Sequence, residues 1–341
     1  MRIGVIGAGS WGTALANLLA KKGLDVILWA YEADLVDRMS DTCVNDLYLP
    51  DYKLDPRLRY TNQLRDAVND RQAILLVPPS QVMRSIVSQL VGAIPEDCLL
   101  VSASKGIEND SLLTMSEVLT EVLGSDVAER CAYLSGPSFA KEVAAEQPTA
   151  VAVAAVDSDL AAQVQDLFST DYFRVYTNTD VLGVELCGAL KNVIALAAGV
   201  SDGLGFGYNT RAALITRGLV EMARLGKAKG ARAETFAGLA GMGDLVLTCT
   251  GDLSRNRSVG MELGKGRSLG EILGSMRMVA EGVKTTLSTY QLAQKLGVDM
   301  PLTAQMYQIL YAGKDPRQAV TDLMMRDLTS EQSQRDTEAD A

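Results

Sequence analysis

The chain has 341 residues, of which 48% are hydrophobic and 22% charged, a composition typical of a soluble globular protein with room for two domains. Its 42 acidic and 32 basic residues give a formal net charge of -10, which disfavours nucleic acids and anionic membranes as partners. The sequence contains no histidine, and this excludes histidine-based acid–base catalysis and histidine-ligated metal sites.

The chain opens on a short β-branched strand, Arg2–Ile6, that leads directly into a glycine-rich turn. Gly7, Gly9 and Gly12 form a G-x-G-x-x-G motif before a helix predicted over residues 13–22. In a dinucleotide site the first glycine permits the turn, the second lets the pyrophosphate approach the backbone, and the third allows close helix packing. The alternative is a glycine-rich turn without a ligand, but the strand before it favours nucleotide binding.

The second predicted strand, residues 25–29, ends where Rossmann sites select their cofactor. An acid at this tip accepts hydrogen bonds from the ribose hydroxyls of NAD. A cation at the same place instead binds the 2′-phosphate of NADP. The tip reads Ala30-Tyr31-Glu32, so Glu32 favours NAD and Tyr31 is placed to stack on adenine. Glu32 fits equally well the role of an acid at a helix N-terminus.

Strands and helices continue to alternate up to residue 180. The strands are predicted at 57–60, 73–77, 99–102, 150–155 and 173–177, and the helices at 81–90, 112–123, 139–145 and 160–168. This alternation predicts an α/β fold with an N-terminal Rossmann-like, doubly wound, mostly parallel sheet over residues 1–180. Ligand contacts are expected just beyond the strand ends, where Lys105 could reach a phosphate or carboxylate or, like most loop lysines, stay solvated.

Only helices are predicted after residue 180. They cover residues 184–198, 210–229, 254–264, 281–296, 302–311 and 316–324. This change predicts a C-terminal all-α domain over residues 181–328, followed by a polar, non-periodic tail at 329–341 that we expect to be disordered.

Lys191 stands in the middle of the first of these helices, with no other charge within five residues on either side. The apolar residues around it recur at helical spacing, so the helix is expected to be buried on more than one side. A buried lysine must lower its pKa, pair with a carboxylate, or both, and such lysines often transfer protons. The alternative is a lysine that snorkels from the helix flank to water.

Two later segments carry charges that need partners. Asp244 is the single acid in the apolar, glycine-rich segment 238–250, interpreted as a loop, and Lys191 is its expected partner. Ser254 is predicted to cap the next helix, with Arg255 and Asn256 adding donors at its positive end. This arrangement fits a bound phosphate or an ordinary capped helix. Because cations in a first turn oppose the helix dipole, a nearby anion is favoured.

The five cysteines are scattered and include no C-x-x-C pair, so they are interpreted as reduced core residues and not as a disulfide framework or a metal site. The chain begins directly with a strand, without a charged n-region and a long apolar h-region, and its longest apolar run, 150–156, is too short to span a bilayer. We therefore expect a cytoplasmic protein without a metal.

Taken together, the sequence resembles the bacterial type of NAD(P)-dependent sn-glycerol-3-phosphate dehydrogenase from Met1 to about Leu328. The blocks that carry the resemblance are GAGSWGTALA, YLP at 48–50, SKGIE at 104–108, LSGPSFAKEV, ELCGALKNVIALAAG, NTRAALITRGLVEM, GLAGMGDLVLTCT, SRNRSVG and VAEGVKT. Their number, length and order make the resemblance far more specific than the glycine motif alone.

The resemblance implies reversible, NAD(P)H-dependent reduction of dihydroxyacetone phosphate to sn-glycerol 3-phosphate, which supplies phospholipid synthesis, by a homodimer. It implies that Lys191 is the proton acceptor and donor and that Asp244 is a substrate-site acid beside it. The substrate contacts that it implies are Lys105, Gly136, Ser138, Lys191, Asp244, Ser254, Arg255 and Asn256. The cofactor contacts are Gly7, Gly9, Ser10, Trp11, Gly12, Tyr31, Lys105, Ala140, Arg255, Val279 and Glu281.

One departure from the family pattern concerns the cofactor. Relatives that favour NADPH commonly carry His or Arg at the position of Tyr31, so we expect this chain to accept NAD(H) at least as well as NADP(H). Two other functions remain open: a two-domain dehydrogenase acting on a non-phosphorylated hydroxy acid, and a catalytically silent nucleotide sensor. The residues Lys191, Asp244 and Arg255 together argue against the sensor.

Overall fold

The computed structural model describes residues 1–276, 280–328 and 330–331. Most of the predicted tail, residue 329 and residues 332–341, therefore lies outside the described residues. The strands are β1 (Arg2–Ile6), β2 (Asp25–Trp29), β3 (Val44–Asn45), β4 (Leu49–Lys53), β5 (Arg59–Thr61), β6 (Ala73–Leu76), β7 (Leu99–Ser102), β8 (Cys131–Ser135), β9 (Thr149–Ala154) and β10 (Phe173–Asn178).

The helices also follow the predicted order, with a change to purely helical structure after β10. They are α1 (Ser10–Lys21), α2 (Ala33–Thr42), α3 (Met83–Ser88), α4 (Met115–Leu123), α5 (Ser125–Ala128), α6 (Ala140–Ala144), α7 (Ser158–Phe168), α8 (Val181–Gly203), α9 (Tyr208–Lys229), α10 (Ala233–Ala237), α11 (Asp244–Thr250), α12 (Arg255–Gly264), α13 (Leu269–Ser275), α14 (Glu281–Leu296), α15 (Pro301–Tyr311) and α16 (Pro316–Met324). We call residues 1–178 the sheet region and residues 181–324 the helical region.

In the described residues the main sheet has eight strands in the order β10-β9-β8-β7-β6-β1-β2-β5. The six strands from β5 to β8 run parallel, and only the β8–β9 pairing is antiparallel. Their order is that of a dinucleotide-binding sheet, with the reversal of strand order between β1 and β6. The predicted Rossmann-like, mostly parallel sheet is confirmed. Ligands bind such sheets at the carboxyl ends of the strands beside this reversal.

The strands are buried because helices cover both faces of the sheet. Successive side chains of β1 point in opposite directions, so Ile3 and Val5 join a core with Leu15 of α1, whereas Ile6 joins a separate core with Met83 of α3. This covering explains why these strands read as continuous apolar runs. The packing on both faces fixes where the strands end and therefore where the loops that follow them begin.

Helix α8 forms the centre of the helical region. Among the described helices it alone is long and apolar enough to cross a membrane, but 89% of that apolar stretch is buried inside the fold. Glycines bring α12 into backbone contact with it, since a Cβ at Gly199 would lie 2.0 Å from the Arg257 carbonyl oxygen and one at Gly260 would lie 2.1 Å from that of Leu196. This close packing places the start of α12 at a defined position relative to Lys191 on α8.

The structure corrects several expectations. Segment 238–250 is not a loop: a π-helix covers Leu239–Gly243 and continues into α11, which begins at Asp244. Glycine weakens a sequence-based helix prediction, but here Gly241 is required because a Cβ there would lie 2.1 Å from the Phe236 carbonyl oxygen.

Other differences concern boundaries and short elements. The helix expected over 112–123 begins only at Met115, where Thr114 and Glu117 form a capping box, and the helix expected over 81–90 spans only Met83–Ser88. Helix α8 extends beyond the predicted 184–198 at both ends. The hairpin β3–β4 and helices α5, α10 and α13 were not predicted, because such short segments present too few residues for a periodic signal. Helix α2 was anticipated only through the alternative role of Glu32 as an acid at a helix N-terminus.

Candidate active site

The glycine turn after β1 has the geometry that a dinucleotide requires. Gly7 has a φ of +116°, and a Cβ there would lie 2.7 Å from the Val77 carbonyl oxygen. A Cβ at Gly12 would lie 1.9 Å from the Gly7 carbonyl oxygen, whereas a Cβ at Gly9 would meet nothing within 4 Å. The turn is therefore closed on its inner side and open beside Gly9, where the backbone is accessible.

Helix α1 begins at this opening with Ser10 and Trp11 in its first turn. Its N-cap residue offers no side-chain hydrogen bond and its first turn contains no acid, so its free N–H groups are available to an anion. Trp11 packs 6.5 Å from Phe173, centroid to centroid, and Ala140 starts α6 against the same core. These features fit a pyrophosphate at the start of α1.

A buried cluster of charges lies where the sheet region meets the helical region. Lys191 is only 8% exposed, and its Nζ donates to Asp244 Oδ1 at 2.7 Å and to Thr248 Oγ1 at 2.9 Å. Lys105, in the loop after β7, donates from its Nζ to Asp244 Oδ2 at 2.7 Å and to the Gly136 carbonyl oxygen at 3.2 Å. We call Lys105, Lys191 and Asp244 the lysine cluster. The predicted pairing of Lys191 with Asp244 is present, and the snorkelling alternative is wrong.

The charges of the lysine cluster set its protonation. Burial lowers the pKa of Lys191 to about 8, and the nearby ammonium of Lys105 also lowers it, while the carboxylate of Asp244 opposes the shift. Burial on its own would raise the pKa of Asp244, but the two ammonium groups outweigh this effect and hold that pKa below its usual value. Two cations share one carboxylate, so the cluster carries an excess positive charge and Lys191 is poised to exchange a proton near neutral pH.

Gly136, Gly188 and the hydroxyl of Ser135 surround the lysine cluster. Gly136 has a φ of +145°, and its carbonyl oxygen also accepts from Ser138 Oγ at 2.9 Å. On α8, a Cβ at Gly188 would lie 2.7 Å from Ser135 Oγ and 3.3 Å from Lys105 Cγ. Gly188 therefore makes the room through which the Lys105 side chain passes to reach Asp244.

The start of α12 differs in part from expectation. Ser254 caps the helix, since its Oγ accepts from the Arg257 backbone N–H at 3.2 Å. Arg255 is exposed, and within the described residues its guanidinium has no hydrogen bond or ion pair. Asn256 instead lies 9% exposed, where it donates to Asn192 Oδ1 at 2.9 Å and accepts from the Gly282 N–H at 3.0 Å. Among the described residues at the start of α12, Arg255 thus presents the uncommitted charge.

Glu281, at the start of α14, links the two regions from the other side. Its Oε1 accepts from the backbone N–H of Ser80, which follows β6, at 3.1 Å. Burial raises the pKa of Glu281, and the positive charges of Arg255, Lys191 and Lys105 act against that rise. These four groups are therefore electrostatic neighbours. Val279, the other expected contact in this segment, lies outside the described residues.

At the tip of β2, Tyr31 is 83% exposed, with its ring 6.5 Å from that of Trp29, beside an open cleft that both residues line. Glu32 occupies the N-cap position of α2 without capping it through its side chain. Its carboxylate Oε1 instead accepts from Tyr48 Oη at 2.7 Å. These contacts do not decide between the two expected roles of Glu32, the ribose contact and the helix N-terminal acid. They add Tyr48 as a partner that sequence reasoning missed.

The sequence also did not reveal that Lys105 shares Asp244, or that Thr248 and Asn192 belong to the site. Thr248 lies four residues after Asp244, and this spacing brings two side chains together only in a helix, whereas the sequence indicates a loop there. Asn192 follows Lys191 directly, and its neighbours on α12 and α14 are 64 residues and more away in sequence. No local pattern identifies such contacts.

A Rossmann-type sheet with an open glycine turn, joined to a helical region that holds a buried lysine at the carboxyl ends of the strands, defines a class of nucleotide-dependent dehydrogenase. Two family models match the chain: the N-terminal part of NAD-dependent glycerol-3-phosphate dehydrogenase at residues 2–161 and its C-terminal part at residues 180–321. Together they cover nearly the whole described chain.

Similar proteins agree with these matches. The chain is 63% identical to glycerol-3-phosphate dehydrogenase [NAD(P)+] of Syntrophotalea carbinolica over 97% of this chain and 99% of that protein. It is 63% identical to the Geobacter sulfurreducens protein of the same name over 97% and 98%. The crystal structure of glycerol-3-phosphate dehydrogenase from Coxiella burnetii superposes with a TM-score of 0.91 at 43% identity, covering 95% of this chain and 99% of that one. The chain belongs to the NAD-dependent glycerol-3-phosphate dehydrogenase family, and the resemblance described above is confirmed.

Proposed function

We propose that this chain catalyses the reversible reduction of dihydroxyacetone phosphate to sn-glycerol 3-phosphate with NAD(P)H, and that the product supplies glycerophospholipid synthesis. The observation that carries the proposal is the lysine cluster, in which a carboxylate from the helical region joins one lysine of each region at 2.7 Å. The cluster lies at the carboxyl ends of the parallel strands, on the side where the glycine turn is open. A small ketone held there is next to both a nucleotide site and a proton donor.

Lys191 is the group that transfers the proton. When bound, the nicotinamide supplies the hydride that converts the carbonyl at C2 into an alkoxide. The ammonium of Lys191 then donates its proton to that oxygen and is left neutral, and in the reverse direction the neutral amine accepts the hydroxyl proton. A pKa of about 8 makes both forms accessible near neutral pH. Asp244 orients the ammonium, and Lys105 adds positive charge that stabilises the developing alkoxide.

Arg255 anchors the phosphate of the substrate. Its guanidinium is exposed at the N-terminus of α12, where the helix dipole adds to its positive charge. Ser254 and Asn256 complete this end: Ser254 as the cap, and Asn256 as a contact that also ties α12 to α8 and α14. Gly136 and Ser138 contribute from the loop after β8. Binding energy from this remote phosphate orients the reacting carbon against Lys191.

The cofactor would bind at the point where the strand order of the sheet reverses. Gly7, Gly9, Gly12, Ser10 and Trp11 would hold the pyrophosphate, and Tyr31 would stack on the adenine. Ala140, Glu281, Lys105 and Arg255 would contact the remainder of the molecule. The acid at the β2 tip leads us to propose that NADH is accepted at least as well as NADPH.

The remaining proposals concern organisation. We propose that residues 1–180 form the nucleotide domain and residues 181–328 the substrate domain, since the strands end at Asn178 and only helices follow in the described chain. We also propose a cytoplasmic homodimer without nucleic-acid or membrane partners, in line with the net charge of -10.

The experiment that tests this function follows the absorbance of NADH and of NADPH during incubation with dihydroxyacetone phosphate. We expect the absorbance to fall with the phosphorylated ketone and to stay constant with unphosphorylated dihydroxyacetone at the same concentration. Turnover of a non-phosphorylated keto acid in place of the phosphoester would favour the hydroxy-acid alternative. Cofactor binding without turnover of either substrate would favour the sensor.

A further inference from the structure

The YLP block at residues 48–50 belongs to a short hairpin, β3–β4, to which neither the glycine motif nor the lysine cluster assigns a role. One residue of the hairpin, Asn45, is fully buried and joins it to the glycine turn. Its Nδ2 donates to the Ala8 carbonyl oxygen at 2.9 Å and to Thr13 Oγ1 at 2.8 Å. Its Oδ1 accepts from the Tyr48 backbone N–H at 2.9 Å. The position of Tyr48 is therefore set by the same turn that receives the pyrophosphate.

From this position the side chain of Tyr48 reaches the tip of β2. Its hydroxyl donates to Glu32 Oε1 at 2.7 Å, whereas Glu32 Oε2 has no protein donor among the described residues. Burial and the adjacent Glu32 raise the pKa of Tyr48 to about 12, so the hydroxyl keeps its proton and remains a donor over the whole physiological range. Glu32 is thus held by one oxygen and presents the other.

We propose that Tyr48 is a positioning residue for cofactor selection: it fixes the carboxylate of Glu32 so that its free oxygen accepts the hydroxyls of the adenosine ribose and repels a 2′-phosphate. The inference rests on the proposed function for the presence of a nicotinamide cofactor. An unrestrained glutamate loses rotamer entropy when it orders around a ligand. A glutamate already held by Tyr48 avoids that loss, and its fixed charge makes the cost of a neighbouring phosphate unavoidable.

The hairpin supplies a matched control. Tyr52 is a half-buried tyrosine on β4 of the same hairpin, and its hydroxyl makes no hydrogen bond within the described structure. Tyr48→Phe and Tyr52→Phe each remove one hydroxyl from the same element and leave the aromatic packing intact. Only the first change releases Glu32.

The test measures dissociation constants for NADH and NADPH by calorimetry, without substrate, so that it does not depend on turnover. We expect the unmodified chain to bind NADH more tightly than NADPH. Tyr48→Phe should weaken NADH binding about five- to tenfold, the cost of ordering one glutamate side chain on binding. It should leave NADPH binding less affected, whereas Tyr52→Phe should change neither constant.

A double-mutant cycle distinguishes positioning from a general structural effect. Glu32→Ala should reduce discrimination between the two nucleotides more than Tyr48→Phe does, and Tyr48→Phe should then have no further effect in the Glu32→Ala background. The proposal is overturned if Tyr48→Phe leaves the ratio of the two constants unchanged, if the two substitutions act additively, or if the unmodified chain binds NADPH more tightly. Reduction of dihydroxyacetone phosphate is a separate measurement, so the proposed function can fail or hold independently.

Discussion

In the described structure, helix α8 contacts one carboxylate, Asp244, and contains another, Asp202, and each is shared by two cations. In the lysine cluster, Asp244 lies between Lys105 and Lys191 at 2.7 Å from each. Near the C-terminal end of α8, Asp202 lies between Arg211 and Arg257 at 2.6 and 2.7 Å, and we call these three residues the arginine cluster. The two clusters have the same arrangement of charges but different cations.

The difference decides what each cluster can do. Arg257 also pairs with the exposed Asp252 at 2.9 Å, and although burial opposes it, these two carboxylates raise the pKa of its guanidinium. An arginine therefore never releases its proton, and the arginine cluster can only hold helices together. Lys191 has no second carboxylate in the described structure, and its pKa falls to about 8. The same arrangement of one carboxylate and two cations therefore stabilises the fold when the cations are arginines. It is suited to proton transfer when they are lysines.

The largest expected effect is on turnover. Lys191→Ala should lower kcat about a thousandfold, because it removes the group that we propose as the proton donor. The dissociation constant of NADH should stay nearly unchanged, since Lys191 lies in the helical region. Steady-state kinetics and nucleotide titration check both statements. Lys284→Ala, which removes an exposed lysine of α14, is the control and should leave kcat unaltered. Near-normal kcat in Lys191→Ala would refute the assignment.

The next largest effect is on the free energy of unfolding, and it differs between Asp244 and Asp202. Asp244→Asn leaves two buried ammonium groups without a counter-charge, and we expect it to lower the free energy of unfolding by about 3–5 kcal/mol. Asp202→Asn should cost less, because Arg211 reaches solvent and Arg257 keeps Asp252. Urea denaturation of both variants at one pH measures the difference. Equal losses of unfolding free energy in the two variants would show that both clusters contribute equally to stability. The proposed difference between the lysine cluster and the arginine cluster would then have no support from stability.

A third effect separates binding from chemistry. Arg255→Ala should raise the KM for dihydroxyacetone phosphate about thirtyfold, the loss of one charge-assisted contact to phosphate, while kcat changes less. The matched control is Arg217→Ala, which removes an exposed arginine of α9 and should leave KM as it is. If Arg255→Ala lowered kcat as strongly as Lys191→Ala and left KM constant, the phosphate would have to bind elsewhere.

The last effect is a dependence on pH that the arginine cluster cannot produce. Reduction needs the ammonium form of Lys191, so kcat/KM should be constant below a pH of about 8 and fall about tenfold per pH unit above it. Oxidation needs the neutral amine and should rise with pH up to the same value and then level off. Profiles from pH 6 to 10 in both directions test this sign. A flat reduction profile between pH 7 and 9.5 would contradict the role of Lys191.

Much of the fold follows from patterns within short stretches of sequence. The buried parallel strands are apolar runs, the glycine turn is a local motif, and the change to helices after residue 180 is visible as a loss of strand patterns. Lys191 and Asp244 were recognised as partners for a related reason: an isolated charge in an apolar segment requires a counter-charge, and each segment offered only one.

Only the tertiary structure decided which charges actually meet. Lys105, a loop lysine with no distinctive sequence context, reaches Asp244 over 139 positions because Gly188 of α8 leaves space for it. Asn256, which we propose as a substrate contact, also bonds to Asn192 and Gly282, and Tyr48 holds Glu32 through a hairpin that no periodicity predicted. Sequence patterns report the local conformation of a segment and whether it is buried. Contacts between distant segments depend on how helices and strands pack, and that packing is a property of the whole chain.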